Sequence, residues 1–217
     1  MIANNFIIYT VVATLVLFTL MNILLKIRYK TEKSINYFLY FALCYFVGLI
    51  LTSLRNTISD FLSLVLGVTI LALGYIFLYI GIRGLLGLSF GWLNRYLIPV
   101  FIVFCGFYLF THIYYDLHMR IVIFSLFALS YSITLSYFFG QNSLKKLKIL
   151  NITASICFIL IASVFLLRAF NAVTMNYAIE FAYSTQFMVL SPYIALFSTL
   201  LTLIFTIFGH LKYKSYQ

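Results

Sequence analysis

Residues 61–82 read FLSLVLGVTILALGYIFLYIGI, and this stretch decides the fold class. It carries no charge, and its polar members are Ser63, Thr69 and the tyrosines Tyr75 and Tyr79. An α-helix rises 1.5 Å per residue, so about 20 apolar residues cross a hydrocarbon core of about 30 Å. Working outward, comparable runs occupy 6–25 and 35–54 on one side, and 96–111, 121–139, 149–167 and 188–208 on the other. Hydrophobic residues make up 65% of the 217, charged residues 8%, and mean hydropathy is +1.11. A soluble domain has about 25% charged residues, so this chain cannot cover a water-facing surface. The composition excludes a soluble enzyme, a disordered tail and a DNA-binding domain. The expectation is an all-α integral membrane protein, one domain over 1–217, with seven transmembrane helices and the lipid bilayer as its solvent.

The charges orient it. Lys26, Arg28, Lys30 and Lys33 follow the first run directly, and no basic region precedes it. That pattern argues against a cleaved signal peptide and puts the N-terminus outside. With seven spans, Arg83, Arg95, Lys145, Lys146, Lys148, Lys212 and Lys214 fall on the same side as those four. Only Arg55, Arg120 and Arg168 fall on the other. Eleven of the 14 basic residues therefore share one face, which predicts a cytoplasmic C-terminus in a bacterial cytoplasmic (inner) membrane. The net charge of +10 is read as this bias and as contact with anionic lipid, with no nucleic acid as partner. Cys44, Cys105 and Cys157 lie in apolar runs without CxxC spacing, and read as small buried hydrophobes.

Catalytic constellations are absent from the sequence pattern. No lysine lies in a span to carry a retinal Schiff base. His112 and His118 fall in an expected outer loop and His210 at an inner helix end, so no span pairs a serine with a histidine at its own depth. Gly81, Gly84, Gly87 and Gly91 lack the lysine and spacing of a phosphate-binding loop, and read as close helix packing and a turn. The central thirds of the spans hold no ionisable group, which argues against an ion-coupled transporter. The reading is of a protein that is not an enzyme and uses no cofactor or metal. Ser191, Ala195, Ser198, Thr202 and Thr206 recur at helical spacing, as do Ser125, Ser132 and Ser136, as expected of helix-packing stripes. Pro99 and Pro192 are expected near helix starts.

Each outer connection carries one arginine and one acid. Arg55 goes with Asp60, Asp116 with Arg120, and Arg168 with Glu180. His112, Tyr114, Tyr115 and His118 are expected in the second of these loops, and residues 170–186, with Asn171, Asn176, Tyr177 and Tyr183, form the longest. Two readings stand. The six charged residues converge on one outward pocket that holds a small anionic ligand. Alternatively they form separate interfacial ion pairs that hold helix ends.

The stretch from Leu54 to Gly87 resembles the membrane region that precedes the catalytic domain of bacterial GGDEF proteins, the diguanylate cyclases. Arg55, Asp60, Leu62, Ser63, Gly74, Gly81 and Gly87 carry the resemblance, and Arg120 leading into residues 121–129 is similar again. Near Val68, where that family often has an asparagine, this chain has none. No GGDEF sequence occurs, so the resemblance implies the seven-helix sensory region without the cyclase. The expected function is a membrane sensor, a signal-input unit that answers an extracytoplasmic stimulus. Homodimerisation or a separate cytoplasmic signalling partner would complete it. The alternatives are a small-solute permease or channel, and a structural membrane assembly subunit.

Overall fold

The computed structural model describes residues 2–55, 57–88, 93–141, 147–174 and 181–214, with the side chains of 2–9, 11, 93–96, 181–190 and 214 outside the description. These residues form seven helices. They are α1 Ile2–Arg28, α2 Lys33–Ser53, α3 Gly67–Leu85, α4 Leu93–Tyr108, α5 Leu117–Gln141, α6 Lys148–Thr174 and α7 Phe181–Lys214. A π-helical turn, Phe61–Leu66, opens α3, and another, Leu109–Ile113, continues α4.

Five segments are long and apolar enough to cross a membrane: Lys33–Ser53, Phe61–Leu85, Leu117–Gln141, Lys148–Thr174 and Ser191–Tyr213. Leu97–Ile113 is apolar but shorter. The outer surface of the bundle matches a lipid solvent. Leu24, Phe101, Ile149 and Phe205 lie largely exposed on it. A surface this apolar is stable only against hydrocarbon or another apolar partner. The chain is an all-helical, multi-pass membrane protein.

The helices close into a ring. α1 packs on α2, α2 on α3, α3 on α5, α5 on α6, α6 on α7 and α7 on α1, with α4 laid against α3 and α5. The α2–α3 and α5–α6 contacts are the most extensive. Glycine explains the first. A Cβ on Gly74 would stand 2.8 Å from Tyr45 Cδ2, and one on Gly81 would stand 2.8 Å from Phe38 Cε1. At both points the facing ring packs into the space that a Cβ would occupy. Serine explains part of the second. Ser136 and Ser155 hydroxyls lie 2.9 Å apart, and Ser155 Oγ also donates to the Ser136 carbonyl at 2.9 Å. Ser125, Ser132, Ser191, Ala195 and Thr206 are buried, so both stripes face neighbouring helices. Gly87 has φ +74° and makes the turn after α3, while Gly91 lies outside the described residues.

Several expectations are corrected. Pro99 and Pro192 lie inside α4 and α7, not near their starts. Each removes one i→i−4 hydrogen bond from its helix interior. The expected loop from His112 to Arg120 shrinks to Tyr114–Asp116, since His112 ends the π-helical turn and His118 and Arg120 belong to α5. Residues 170–174 continue α6 and 181–186 begin α7, so helix occupies much of the expected long loop. Asn176 and Tyr177 lie outside the described residues. The physical reason is common to these cases. Hydropathy marks only the lipid-facing middle of a helix, whereas backbone hydrogen bonding carries the helix on into polar residues.

Candidate functional site

A cavity of about 400 Å³ lies inside the ring, at the end bearing the α2–α3 and α4–α5 connections. Six helical segments wall it. α2 contributes Tyr45, Leu49, Thr52 and the following Arg55, and α3 with its π turn contributes Leu64, Val68, Leu71 and Tyr75. Leu117, Arg120, Ile121 and Phe124 come from α5, and Phe165 and Arg168 from α6. Phe107 of α4 and Pro192, Tyr193 and Leu196 of α7 complete it. Three arginines from three segments therefore share one cavity, and among the described residues no carboxylate lines it.

The three arginines differ in surroundings. Arg55 is exposed in the turn after α2, where its backbone pairs with Ile58. Arg120 is 2% exposed and firmly held. Its Nε donates to the Asp116 backbone carbonyl at 3.3 Å, its Nη1 lies 3.5 Å from Thr111 Oγ1, and its guanidinium stacks 5.2 Å from the Tyr115 ring centre. Tyr115 adopts φ +37°, a left-handed conformation that an aromatic residue rarely takes. Arg168 lies six residues before the end of α6, about 9 Å down the helix at 1.5 Å per residue. Its Nε and Nη1 are buried and have no hydrogen-bond partner among the described residues. Native proteins leave few buried donors orphaned, because each costs roughly 1–3 kcal/mol.

The floor is aromatic. The Tyr45 and Tyr75 rings meet edge to face with centroids 5.8 Å apart. Tyr75 also meets the rings of Phe124 at 6.3 Å, Phe127 at 5.8 Å and Tyr131 at 6.2 Å. It lies close enough to Arg168 for electrostatic interaction.

Neither Arg55 with Asp60 nor Arg120 with Asp116 forms a side-chain ion pair among the described residues. Asp116 caps α5 instead: its Oδ1 accepts from the backbone N–H of His118 at 2.8 Å and of Met119 at 3.1 Å. Asp60 is exposed at the start of the π turn before α3, and no hydrogen bond or ion pair joins it to Arg55 among the described residues. Neither acid lines the cavity. Glu180 lies outside the described residues. His118 Nδ1 lies 3.0 Å from the Ala172 carbonyl, which ties the start of α5 to the end of α6.

Comparison with protein-family models, with curated proteins and with solved structures finds no match to this chain.

Sequence reasoning missed Tyr45, Thr52, Tyr75 and Tyr193. A tyrosine in an apolar run reads as a hydrophobe, yet its buried hydroxyl needs a partner, and that need was the available signal. Among the described residues no three His, Cys, Asp or Glu side chains gather to hold a metal.

Proposed function

We propose that this chain is a seven-helix input unit of a bacterial cytoplasmic membrane, with its N-terminus outside and its C-terminus cytoplasmic. In this reading the arginine-lined cavity opens outward and binds an anion. The bound anion shifts the helices, and the basic inner face passes the change to a cytoplasmic signalling partner or to a second copy. The carrying observation is that Arg55, Arg120 and Arg168 line one cavity, with no carboxylate among its described walls.

Two features support reception over passage. Leu78, Ile82, Phe139 and Phe158, further along their helices from the cavity, are fully buried, so the floor rests on packed core. An aromatic series then runs from the floor toward the opposite end. Tyr75 meets Tyr131, Tyr131 lies 5.9 Å from Tyr79, Tyr79 lies 5.5 Å from Phe138, and Arg83 stacks over Phe138 at 5.3 Å. A ligand moves such a system only by binding two arrangements with different affinity. The resemblance to the membrane region of GGDEF proteins points the same way. Catalysis is not part of the proposal, and purified protein given GTP should form no cyclic dinucleotide.

The test is proximity labelling from the C-terminal tail in cells. The reading requires a signalling protein among the labelled neighbours, with labelling altered in Arg55→Ala, Arg120→Ala and Arg168→Ala chains that still insert normally. Unchanged labelling in all three rejects it.

A further inference from the structure

The cavity combines two chemistries that seldom meet by chance. Its arginines step inward. Arg55 stands exposed at the end of α2, Arg120 lies in the first turn of α5, and Arg168 lies about 9 Å down α6. Between and below them the walls are hydrocarbon, chiefly Leu49, Val68, Leu71, Phe124, Phe165 and Leu196. From Leu64 to Tyr75 the lining follows α3 over about 16 Å at 1.5 Å per residue. A site for inorganic phosphate or acetate would have no use for that wall. A site for a neutral lipid tail would not keep an arginine whose buried Nε and Nη1 lack partners among the described residues. Removing either chemistry leaves the other without a purpose.

We infer that the cavity takes a small lipophilic carboxylate, its anionic head against Arg168 and its hydrocarbon body against the apolar walls. This inference rests on the anion-binding reading above and narrows it. The head group supplies acceptors to the buried Nε and Nη1 of Arg168, which lack partners among the described residues. Charge-assisted hydrogen bonds of this kind are about twice as strong as neutral ones. Arg120, already fixed by Thr111, Tyr115 and Asp116, adds positive potential without needing to move. Arg55 at the mouth attracts the anion from solution. A volume of about 400 Å³ lies within the range of small-molecule pockets, roughly 300–1,000 Å³. The body must be apolar because about 25 cal/mol is gained for each Å² of hydrocarbon removed from water.

The experiment uses the full chain in nanodiscs of phosphatidylcholine, with binding read by thermal shift and by calorimetry. The probes are sodium octanoate, sodium acetate, inorganic phosphate and 1-octanol. Octanoate should bind at least about tenfold more tightly than the other three, a difference of about 1.4 kcal/mol. Arg168→Met should lose that advantage, and Arg168→Lys should keep part of it through its remaining charge. Acetate or phosphate binding as tightly as octanoate would overturn the lipophilic assignment while leaving an anion site standing. Octanol matching octanoate would overturn the role of the head group. Stabilisation by phosphatidylglycerol in the discs, with none by octanoate, would replace the soluble acid with a bound lipid. Absence of binding in every arm would overturn both this inference and the anion-binding reading.

Discussion

Arg120 reaches the backbone carbonyl of Asp116 and not its carboxylate. The Nε donates to that carbonyl at 3.3 Å, while Asp116 Oδ1 accepts from the first-turn amides of α5 at 2.8 and 3.1 Å. A neighbouring acid thus anchors the helix and leaves the arginine's charge available to the cavity. Replacing a capping aspartate by alanine typically costs about 1 kcal/mol. Asp116→Ala should lower stability by about that much in denaturant unfolding from detergent, and Asp116→Asn by less. Neither should weaken octanoate binding. A loss of affinity like that of an Arg168 variant would mean the carboxylate belongs to the site after all.

Gly74 sets the position of the cavity floor. Its missing Cβ leaves room for Tyr45, whose ring it would meet at 2.8 Å. Gly81 does the same for Phe38, further from the cavity. Overpacking a tight contact costs about 1–3 kcal/mol, so Gly74→Ala and Gly81→Ala should both destabilise the α2–α3 pair. Only Gly74→Ala displaces a cavity side chain, so only it should also weaken octanoate binding. Equal affinity in the two variants would separate the floor from the ligand.

The aromatic series offers a test of transmission apart from binding. Tyr79 contacts Tyr131 and Phe138 by its ring, and Arg83 Nη1 donates to its hydroxyl at 3.2 Å. It does not line the cavity. Tyr79→Ala should therefore leave octanoate affinity within about twofold, a change of about 0.4 kcal/mol by the same arithmetic. It should abolish the octanoate-induced change in hydrogen exchange at the start of α6. A wild-type exchange response in Tyr79→Ala would exclude this series as the route. Contact alone does not establish coupling, which is why the exchange measurement is the deciding one.

Much of the helical plan was legible because lipid transfer and helix formation agree over the middle of each span. Residues 61–82 show this, since their apolar run lies wholly within the helix that continues to Leu85. The ends were less legible. His112, His118 and Arg120 are polar, yet they remain helical because the backbone needs its hydrogen bonds whatever the side chain is. The gathering of Arg55, Arg120 and Arg168 followed from hairpin geometry, in which alternate helix ends meet at one end of the bundle. Asp60 and Asp116 did not follow, because a carboxylate ahead of a helix has two outlets: a nearby cation or the orphan amides of the first turn. Asp116 precedes the LHMR run of α5, and that placement was the readable sign of a cap.

The proposed orientation rests on the basic residues and is directly measurable. Reporter fusions after Lys30 and after Lys214 should be active only with a cytoplasmic reporter, because the basic residues cluster at those points. A fusion after Tyr115, at the cavity end, should be active only with a periplasmic reporter. A periplasmic reporter active after Lys214 would contradict the seven-span arrangement and reverse the side from which the cavity is reached.

Arg168 gives the sharpest expectation, because stability and binding should move in opposite directions. Two of its buried nitrogens lack partners among the described residues, and Phe165 one turn away is fully enclosed. Leaving buried donors unsatisfied costs roughly 1–3 kcal/mol, and a buried charge without a partner adds to that penalty. Methionine has a similar length, no donor and no charge. Arg168→Met should therefore raise the unfolding free energy of the ligand-free protein by about 1–3 kcal/mol, while erasing the stabilisation that octanoate gives the wild type. Natural proteins often retain such costly groups where activity needs them. If Arg168→Met is less stable than wild type without ligand, the guanidinium is already satisfied within the fold, and its claim to a ligand fails.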